Sequence, residues 1–470
     1  MATKALLDDL RDLVGPHGYL DQAFDVEPYT IDHRKLYRGK TPLVLRPDST
    51  QQVSAILKAC SEARVGVVPV GGNTGYCGGA TPSEDGSQIV LSLARMKRVR
   101  AVDPLNYTMI AEAGCVLADV QAAAASADRL FPLSLGSEGS CQLGGNLSTN
   151  AGGTAVLRYG MMRDLVLGLE VVLPDGRVLD SLQSLRKDNT GYDLRDLFIG
   201  AEGTLGIITA AAIKLFSRPA TVVTAFVAVA NPQAAVALLS RLRTATGDLV
   251  STFELVPRIG IDLVTKHISK TSDPFDRRYE WYVLLEVGGG KLAIELRNTL
   301  EQELEAAMEA KEVLNAVFAE SDAQRESLWR LRETIPEAQR LDGASIKHDV
   351  SVTTTELPRF MTEACKSILD IAPRGQIVAY GHLGDGNLHL NVNQSHDESA
   401  ESFLALAPRI NRAVHDLIAA YGGSFSAEHG IGRLKREELL HYKHPVAIEL
   451  MRSIKQALDP NGIMNPGKVL

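Results

Sequence analysis

No run of three or more consecutive lysines and arginines appears in the 470 residues, and the formal net charge is −8. A chain with no basic stripe is not built to neutralise the phosphates of a nucleic acid. Cysteine is scarce: Cys60, Cys77, Cys115, Cys141 and Cys365 are odd in number and lack C-x-x-C spacing. That excludes a disulfide framework and points to a reducing compartment. No apolar run approaches the length of a membrane span. The opening MATKALLDDLRDLVG carries acids early and has no unbroken apolar core, so it does not read as a secretory signal. These features together predict a cytoplasmic protein. The familiar nucleotide patterns are missing too: no G-x-G-x-x-G opens a helix after a strand, and there is no G-x-x-x-x-G-K-[ST]. Internal repeats and low-complexity tracts are absent, and the length predicts two to three domains.

What the sequence has instead is glycine in three separated clusters. Residues 133–173 read LSLGSEGSCQLGGNLSTNAGGTAVLRYGMMRDLVLGLEVVL. They set Gly136, Gly139, Gly144, Gly145, Gly152 and Gly153 among Ser137, Ser140, Ser148, Thr149 and Asn150. Ordering glycine is costly, so such a run marks backbone in restricted conformations or backbone approached closely by something large. With short hydroxyls and amides between the glycines, it offers main-chain N–H groups to a pyrophosphate. An apolar strand, Leu165 to Leu173, follows at once, which argues against a floppy linker. Residues 65–79, VGVVPVGGNTGYCGG, end a β-branched strand in Gly71, Gly72, Asn73, Thr74 and Gly75. Residues 200–215, GAEGTLGIITAAAIKL, form the third cluster.

The rest of the first half alternates strands and helices. Leu6, Leu7, Leu10, Leu13 and Val14 recur at helical spacing until Gly15-Pro16. A helix is predicted over Thr50 to Ala63 and strands over Val65 to Val70, 89–96 and Tyr107 to Ala113. A helix near Leu117 to Ala127 follows, then a hairpin around Pro174-Asp175-Gly176. Arg218-Pro219 marks a boundary. Beyond it TVVTAFVAVA, the helix PQAAVALLSRLRTAT, a strand near Phe253 and WYVLLEV predict helices covering one face of an antiparallel sheet. Helices are expected over 292–310 and 321–340, a strand over IKHDVSV (346–352) and two strands within 376–393. Helices over 433–442 and 445–457 close the chain.

Candidate chemistry lies in the second half. In GNLHLNVN (386–393) leucine and valine alternate with His389, Asn391 and Asn393, so a strand puts the polar residues on one face. His382 stands seven residues before His389, across Gly384-Asp385-Gly386. Two imidazoles and a carboxylate from Glu428-His429 make a three-ligand set for a divalent metal with one open position. The residues alone leave open which of Glu428 and His429 is the ligand. They also leave open a metal hydrolase or lyase, or a binding protein without catalysis. Arg332 on a helix and Lys347, two residues from Asp349 on a strand, are candidate cations for an acidic substrate.

PVGGNTG, GGNLSTNAGG with RYG and VLPDGRVL, and IGAEGTLGIIT resemble the flavin-binding domain of the vanillyl-alcohol oxidase / p-cresol methylhydroxylase superfamily. GHLGDGNLHLN, SAEHGIGRLK and the final NPGK resemble its D-2-hydroxyacid dehydrogenase branch, most closely the D-2-hydroxyglutarate dehydrogenases. The resemblance covers nearly the whole chain in order. It implies an α+β fold with a two-subdomain flavin-binding domain over 1–217. A substrate (cap) domain with an antiparallel sheet would span 218–425, and a C-terminal helical segment, 426–470, would return to the flavin.

The resemblance also assigns roles. FAD would be bound without a covalent link by Pro69, Gly71, Gly72, Asn73, Thr74, Gly75, Gly78, Gly136, Ser137, Ser140, Gly144, Gly145, Asn146, Thr149, Asn150, Gly152, Glu202, Gly203, Gly206, Ile207 and Asn465. His382, His389 and Glu428 would hold zinc or manganese, and His429 would be the base. Arg332, Lys347 and Asn391 would hold the substrate. The implied reaction oxidises a D-2-hydroxyacid, D-2-hydroxyglutarate first and D-malate next, to the 2-oxoacid. Electrons would pass to an electron-transfer flavoprotein or a quinone-linked carrier, and a homodimer fits the family. One departure favours D-lactate or glycolate instead. Pro336 stands four residues beyond Arg332, where the hydroxyglutarate enzymes tend to place a threonine.

Overall fold

Thr3 accepts the N–H of Leu6 and opens the helix Lys4–Val14, which buries Leu6, Leu10 and Val14 and ends at Gly15 with φ 69°. Ser49 caps the helix Thr50–Ala63 in the same way through the N–H of Gln52. Both helices pack on one apolar cluster with Leu43, Leu45, Val67, Ile89 and Leu91. The computed structural model describes residues 2–291 and 295–470. By its internal contacts the chain forms two units. The first is Met1–Gly153, Gly160–Arg218 and Glu428–Leu470; the second is Thr154–Tyr159 and Pro219–Ala427.

The first unit is built on two sheets. One orders Tyr19–Leu20, Val44–Leu45, Ile89–Ser92 and Val67–Val70, with the last three strands parallel. The other is antiparallel, in the order Val99–Asp103, Thr108–Glu112, Ile207–Lys214, Val166–Val172 and Val178–Ser181. Its Pro174-Asp175-Gly176 hairpin pairs Val172 with Val178. The first two glycine clusters follow the end of Val67–Val70 and precede Val166–Val172, and the third runs into Ile207–Lys214. That arrangement supplies backbone loops at strand ends.

The second unit is one antiparallel sheet. Its order is Val313–Phe318, Thr221–Val229, Trp281–Gly289, Val250–Pro257, Gln376–His382, Asn387–Asn393 and Ser345–Ile346, with Asp349–Ser351 also on Asn387–Asn393. Alternation sends Val223, Ala225, Phe253, Leu255, Leu388, Leu390 and Val392 into one core with the helices Pro232–Thr246 and Leu357–Ile371. The opposite face of its last strands carries the polar residues.

Three expectations differ in detail. The helix expected over 321–340 is two, Asp322–Glu333 and Ile335–Asp342, because Pro336 lacks an N–H and starts a new helix. The helix expected from 292 begins at Leu296, and residues 292–294 lie outside the described ones. The strand over 346–352 keeps its register on Asn387–Asn393 but its ladder is interrupted at Lys347 and His348. There the His348 ring takes the Leu390 carbonyl at 2.8 Å, and the His348 N–H goes to Asn391 Oδ1 at 3.3 Å. Side chains have replaced part of the ladder.

Candidate functional site: a glycine-walled cleft and a polar sheet face

The three glycine clusters of the first unit wall one cleft. Close approach explains the glycines. A Cβ on Gly72 would stand 2.1 Å from the Ser140 carbonyl oxygen, and one on Gly203 (φ +70°) would stand 2.4 Å from Pro69. Gly75 and Gly145 line the cleft and face open space, so a side chain there would fill it. No lysine or arginine is among the lining residues. Gln142 Oε1 and Asn146 Nδ2, both of lining residues, are buried without a hydrogen-bond partner. A cradle of backbone N–H groups with orphaned amides fits a large phosphate-bearing cofactor such as FAD.

Of the residues assigned to FAD, the lining takes Pro69, Gly71, Gly72, Asn73, Thr74, Gly75, Gly78, Gly144, Gly145, Asn146, Thr149, Glu202, Gly203, Gly206 and Ile207. Gly136, Ser137, Ser140, Asn150, Gly152 and Asn465 stand outside it. Asn150 is spent locally, its side-chain oxygen accepting the Arg163 N–H at 2.9 Å. Asn465 donates to the carbonyls of Gly79 and Glu202 at 3.0 and 2.8 Å, directly behind the lining.

His429 also lines the cleft, its ring edge-on to Tyr76 with centroids 4.7 Å apart. The neighbouring Glu428 accepts the Gly153 N–H at 3.2 Å, tying this segment to the central glycine run. Glu202 accepts the N–H groups of Ile431 and Gly432 at 2.7 and 2.8 Å. Burial pushes its carboxyl above the usual range; two N–H donors pull the other way, and the ionised form satisfies them best.

In the second unit a buried acid organises the polar face. Glu254, 1% exposed, accepts at Oε1 from His382 Nδ1 at 2.6 Å and at Oε2 from Arg332 Nε and Nη2 at 2.8 and 2.7 Å. Burial alone would raise the Glu254 carboxyl, but the charges of His382 and Arg332 outweigh it and hold it at about 2. Were His382 neutral, a carboxylate on Nδ1 would leave Nε2 as the lone-pair nitrogen, as in many metal-binding histidines. His389 follows, its ring centroid 5.5 Å from that of His382 and 5.1 Å from that of Tyr380. Its Nδ1 lies 3.9 Å from Asp349 Oδ1. Arg332 lies over the Tyr380 ring at 4.7 Å, and Asn391 donates to Gln339 Oε1 at 3.0 Å. Lys347 is exposed whereas Asp349 is 2% exposed, so the two do not share an environment.

Glu254 escapes a reading by motif alone. Its signal is nonetheless present: an acid between Phe253 and Leu255 at the centre of an apolar strand must be buried, and a buried acid needs a partner.

The FAD binding domain family matches residues 41–181, and the family "FAD linked oxidases, C-terminal domain" matches residues 218–469. The chain is 38% identical over 460 residues to a D-2-hydroxyglutarate dehydrogenase of Arabidopsis thaliana, covering 98% of this chain and 80% of that one. It is 40% identical over 469 residues to the enzyme of that name in Bos taurus, covering 98% and 83%. The crystal structure of p-cresol methylhydroxylase with substrate bound superposes with a TM-score of 0.77 at 16% identity, covering 100% of this chain and 97% of that one. Both dehydrogenases are named as mitochondrial, which overturns the cytoplasmic expectation. That expectation rested on reduced cysteines and the lack of a secretory-type run, and neither separates one reducing compartment from another. No described helix is long and apolar enough to cross a membrane. Matched at both units and along almost its whole length, the chain belongs to the FAD-linked oxidases, in the branch of FAD-dependent D-2-hydroxyacid dehydrogenases that holds the D-2-hydroxyglutarate dehydrogenases.

Proposed function

We propose that this enzyme oxidises a dicarboxylic D-2-hydroxyacid, D-2-hydroxyglutarate before D-malate, to the 2-oxoacid. The observation that carries the reading is the presence of His429 in the wall of the glycine cleft. An imidazole titrates nearest neutral pH and suits a base that takes the substrate hydroxyl proton on a ring nitrogen. When bound non-covalently in the cleft, FAD supplies the hydride acceptor. His382, His389 and Glu428 would hold zinc or manganese, whose chemistry there is to acidify the hydroxyl. The Glu254 contact to His382 supports that donor set, because it orients the imidazole as a ligand. Arg332, Lys347 and Asn391 would bind the carboxylates, and the glycine walls would exclude water from the reacting carbon. Electrons would leave to an electron-transfer flavoprotein or a quinone-linked carrier.

A second reading, a D-lactate or glycolate dehydrogenase, is favoured by Pro336 in the first turn of Ile335–Asp342, which removes a hydroxyl donor. Anaerobic reduction of the yellow protein by a panel of D- and L-hydroxyacids tests both. The D-diacids should bleach the flavin most efficiently. If D-lactate or glycolate matches them, the second reading stands; if no hydroxyacid bleaches it, both fall.

A further inference from the structure

Glu202 lines the cleft, yet both of its carboxylate oxygens are spent on the chain itself. Oε1 accepts the N–H of Ile431 at 2.7 Å and Oε2 that of Gly432 at 2.8 Å. Gly430 and Gly432 have φ of +73° and +52°. Successive N–H groups in a turn with left-handed residues converge on an anion. Here the anion is the protein's own side chain. The fit is close: a Cβ on Gly430 would stand 2.7 Å from Glu202 Oε1.

Glu202 is also held from every other side. Its φ is +51°, unusual for a residue with a side chain. Its N–H goes to the Ser148 carbonyl at 2.8 Å, and its own carbonyl accepts from Asn465 at 2.8 Å. The same Asn465 amide donates to Gly79 at 3.0 Å. Thus all three glycine clusters and the C-terminal segment meet at Glu202 and Asn465. His429 stands two positions before Ile431, with Tyr76 against its ring at 4.7 Å. The imidazole is therefore located by an anchored turn behind it and an aromatic ring beside it.

We infer that Glu202 is the positioning residue of His429: its carboxylate pins the Gly430–Gly432 turn and so fixes where the imidazole stands in the cleft. This rests on the reading of His429 as base. Glutamine in place of Glu202 keeps the shape but turns an NH₂ toward one of the two N–H donors, so one anchor is lost. A shift of about 1 Å at a reacting group costs up to about a hundredfold in rate.

The test is single-turnover flavin reduction by D-2-hydroxyglutarate in Glu202→Gln, His429→Asn and the double variant. Glu202→Gln should keep its flavin and its substrate saturation point, and reduce its flavin roughly ten- to a hundredfold more slowly. The double variant should be no slower than His429→Asn alone, since the anchor acts only through that ring. Gly430→Ala, which pushes the turn off the intact carboxylate, should show the same pattern. The inference is overturned if Glu202→Gln loses its flavin, reduces it at the wild-type rate, or slows the His429→Asn background further. A His429→Asn variant as fast as wild type removes the base reading and this inference with it. A slow His429→Asn beside a fast Glu202→Gln removes only the inference.

Discussion

Glu254 and His382 meet at 2.6 Å, Oε1 against Nδ1, and the second oxygen of the same carboxylate takes Arg332 at 2.7 Å. A candidate metal ligand and a candidate substrate cation are thus held by one buried acid. Truncating it strands a buried guanidinium, and an unpaired buried charge costs far more than the missing hydrogen bonds. Glu254→Ala should lower stability by about 3–5 kcal/mol. Both tryptophans, Trp281 and Trp329, lie in the same unit, so their fluorescence during urea unfolding reports it directly. Unchanged unfolding would mean that the triad carries no such weight.

Acid should loosen the first unit through Glu170. That carboxylate accepts from Thr50 and Thr209 at 2.7 Å and from Arg100 at 3.0 Å. Burial pushes the group up, but Arg100 and the two hydroxyls outweigh it and leave it below its usual range. A lowered folded value means the stabilisation is complete above the unfolded value of about 4.3 and fades as pH falls through the folded one. Glu170→Gln should therefore release flavin more readily than wild type near neutrality, with the gap closing in acid. Parallel profiles for the two proteins, followed by flavin fluorescence, would exclude the link.

Substrate choice should turn on Lys347. Arg332 is buried against Glu254, and Lys347 is exposed. An exposed charge pair is worth about 0.2–1 kcal/mol. Lys347→Ala should cut kcat/KM for D-2-hydroxyglutarate by up to about fivefold and leave D-lactate nearly untouched. An equal loss for both substrates would assign the lysine to the carboxylate they share.

Metal removal separates the proposed metal from the flavin. Dialysis against a chelator should abolish turnover while the protein stays yellow, because the glycine cleft lies in one unit and the two histidines in the other. His382→Ala and His389→Ala should lower metal content, measured by elemental analysis, without loss of flavin. Full activity in metal-free protein would end the metal-assisted reading.

The sequence shows the local and periodic parts of this fold. Ser49, with the apolar residues Val53, Ile56, Leu57 and Cys60, announces the helix Thr50–Ala63 to the residue. Pro174-Asp175-Gly176 announces its hairpin. Pro336 announces a helix break as well, but the apolar period on both sides of it masks the stop. What stays hidden depends on partners far along the chain. The His348 ring competes with the ladder only because the Leu390 carbonyl is opposite, and Glu254 is an ion-pair centre only because Arg332 and His382 arrive from other elements. No period or spacing records such meetings. The glycine clusters give the cleft away; which of their residues face it does not follow, since a glycine run carries no direction.

The pairing of Val67 with the last turns of the chain bears on how the protein is made. The Val67 N–H goes to Ile463 at 2.7 Å, and Val67 also bridges Met464 in parallel. A ribosome adding about 5–20 residues per second needs on the order of 20–80 s to travel from one to the other. Until then the Val67 end of this edge strand lacks its partner, and its N–H and C=O are groups that another strand could recruit. The first unit therefore closes only after the second, Pro219–Ala427, has been made.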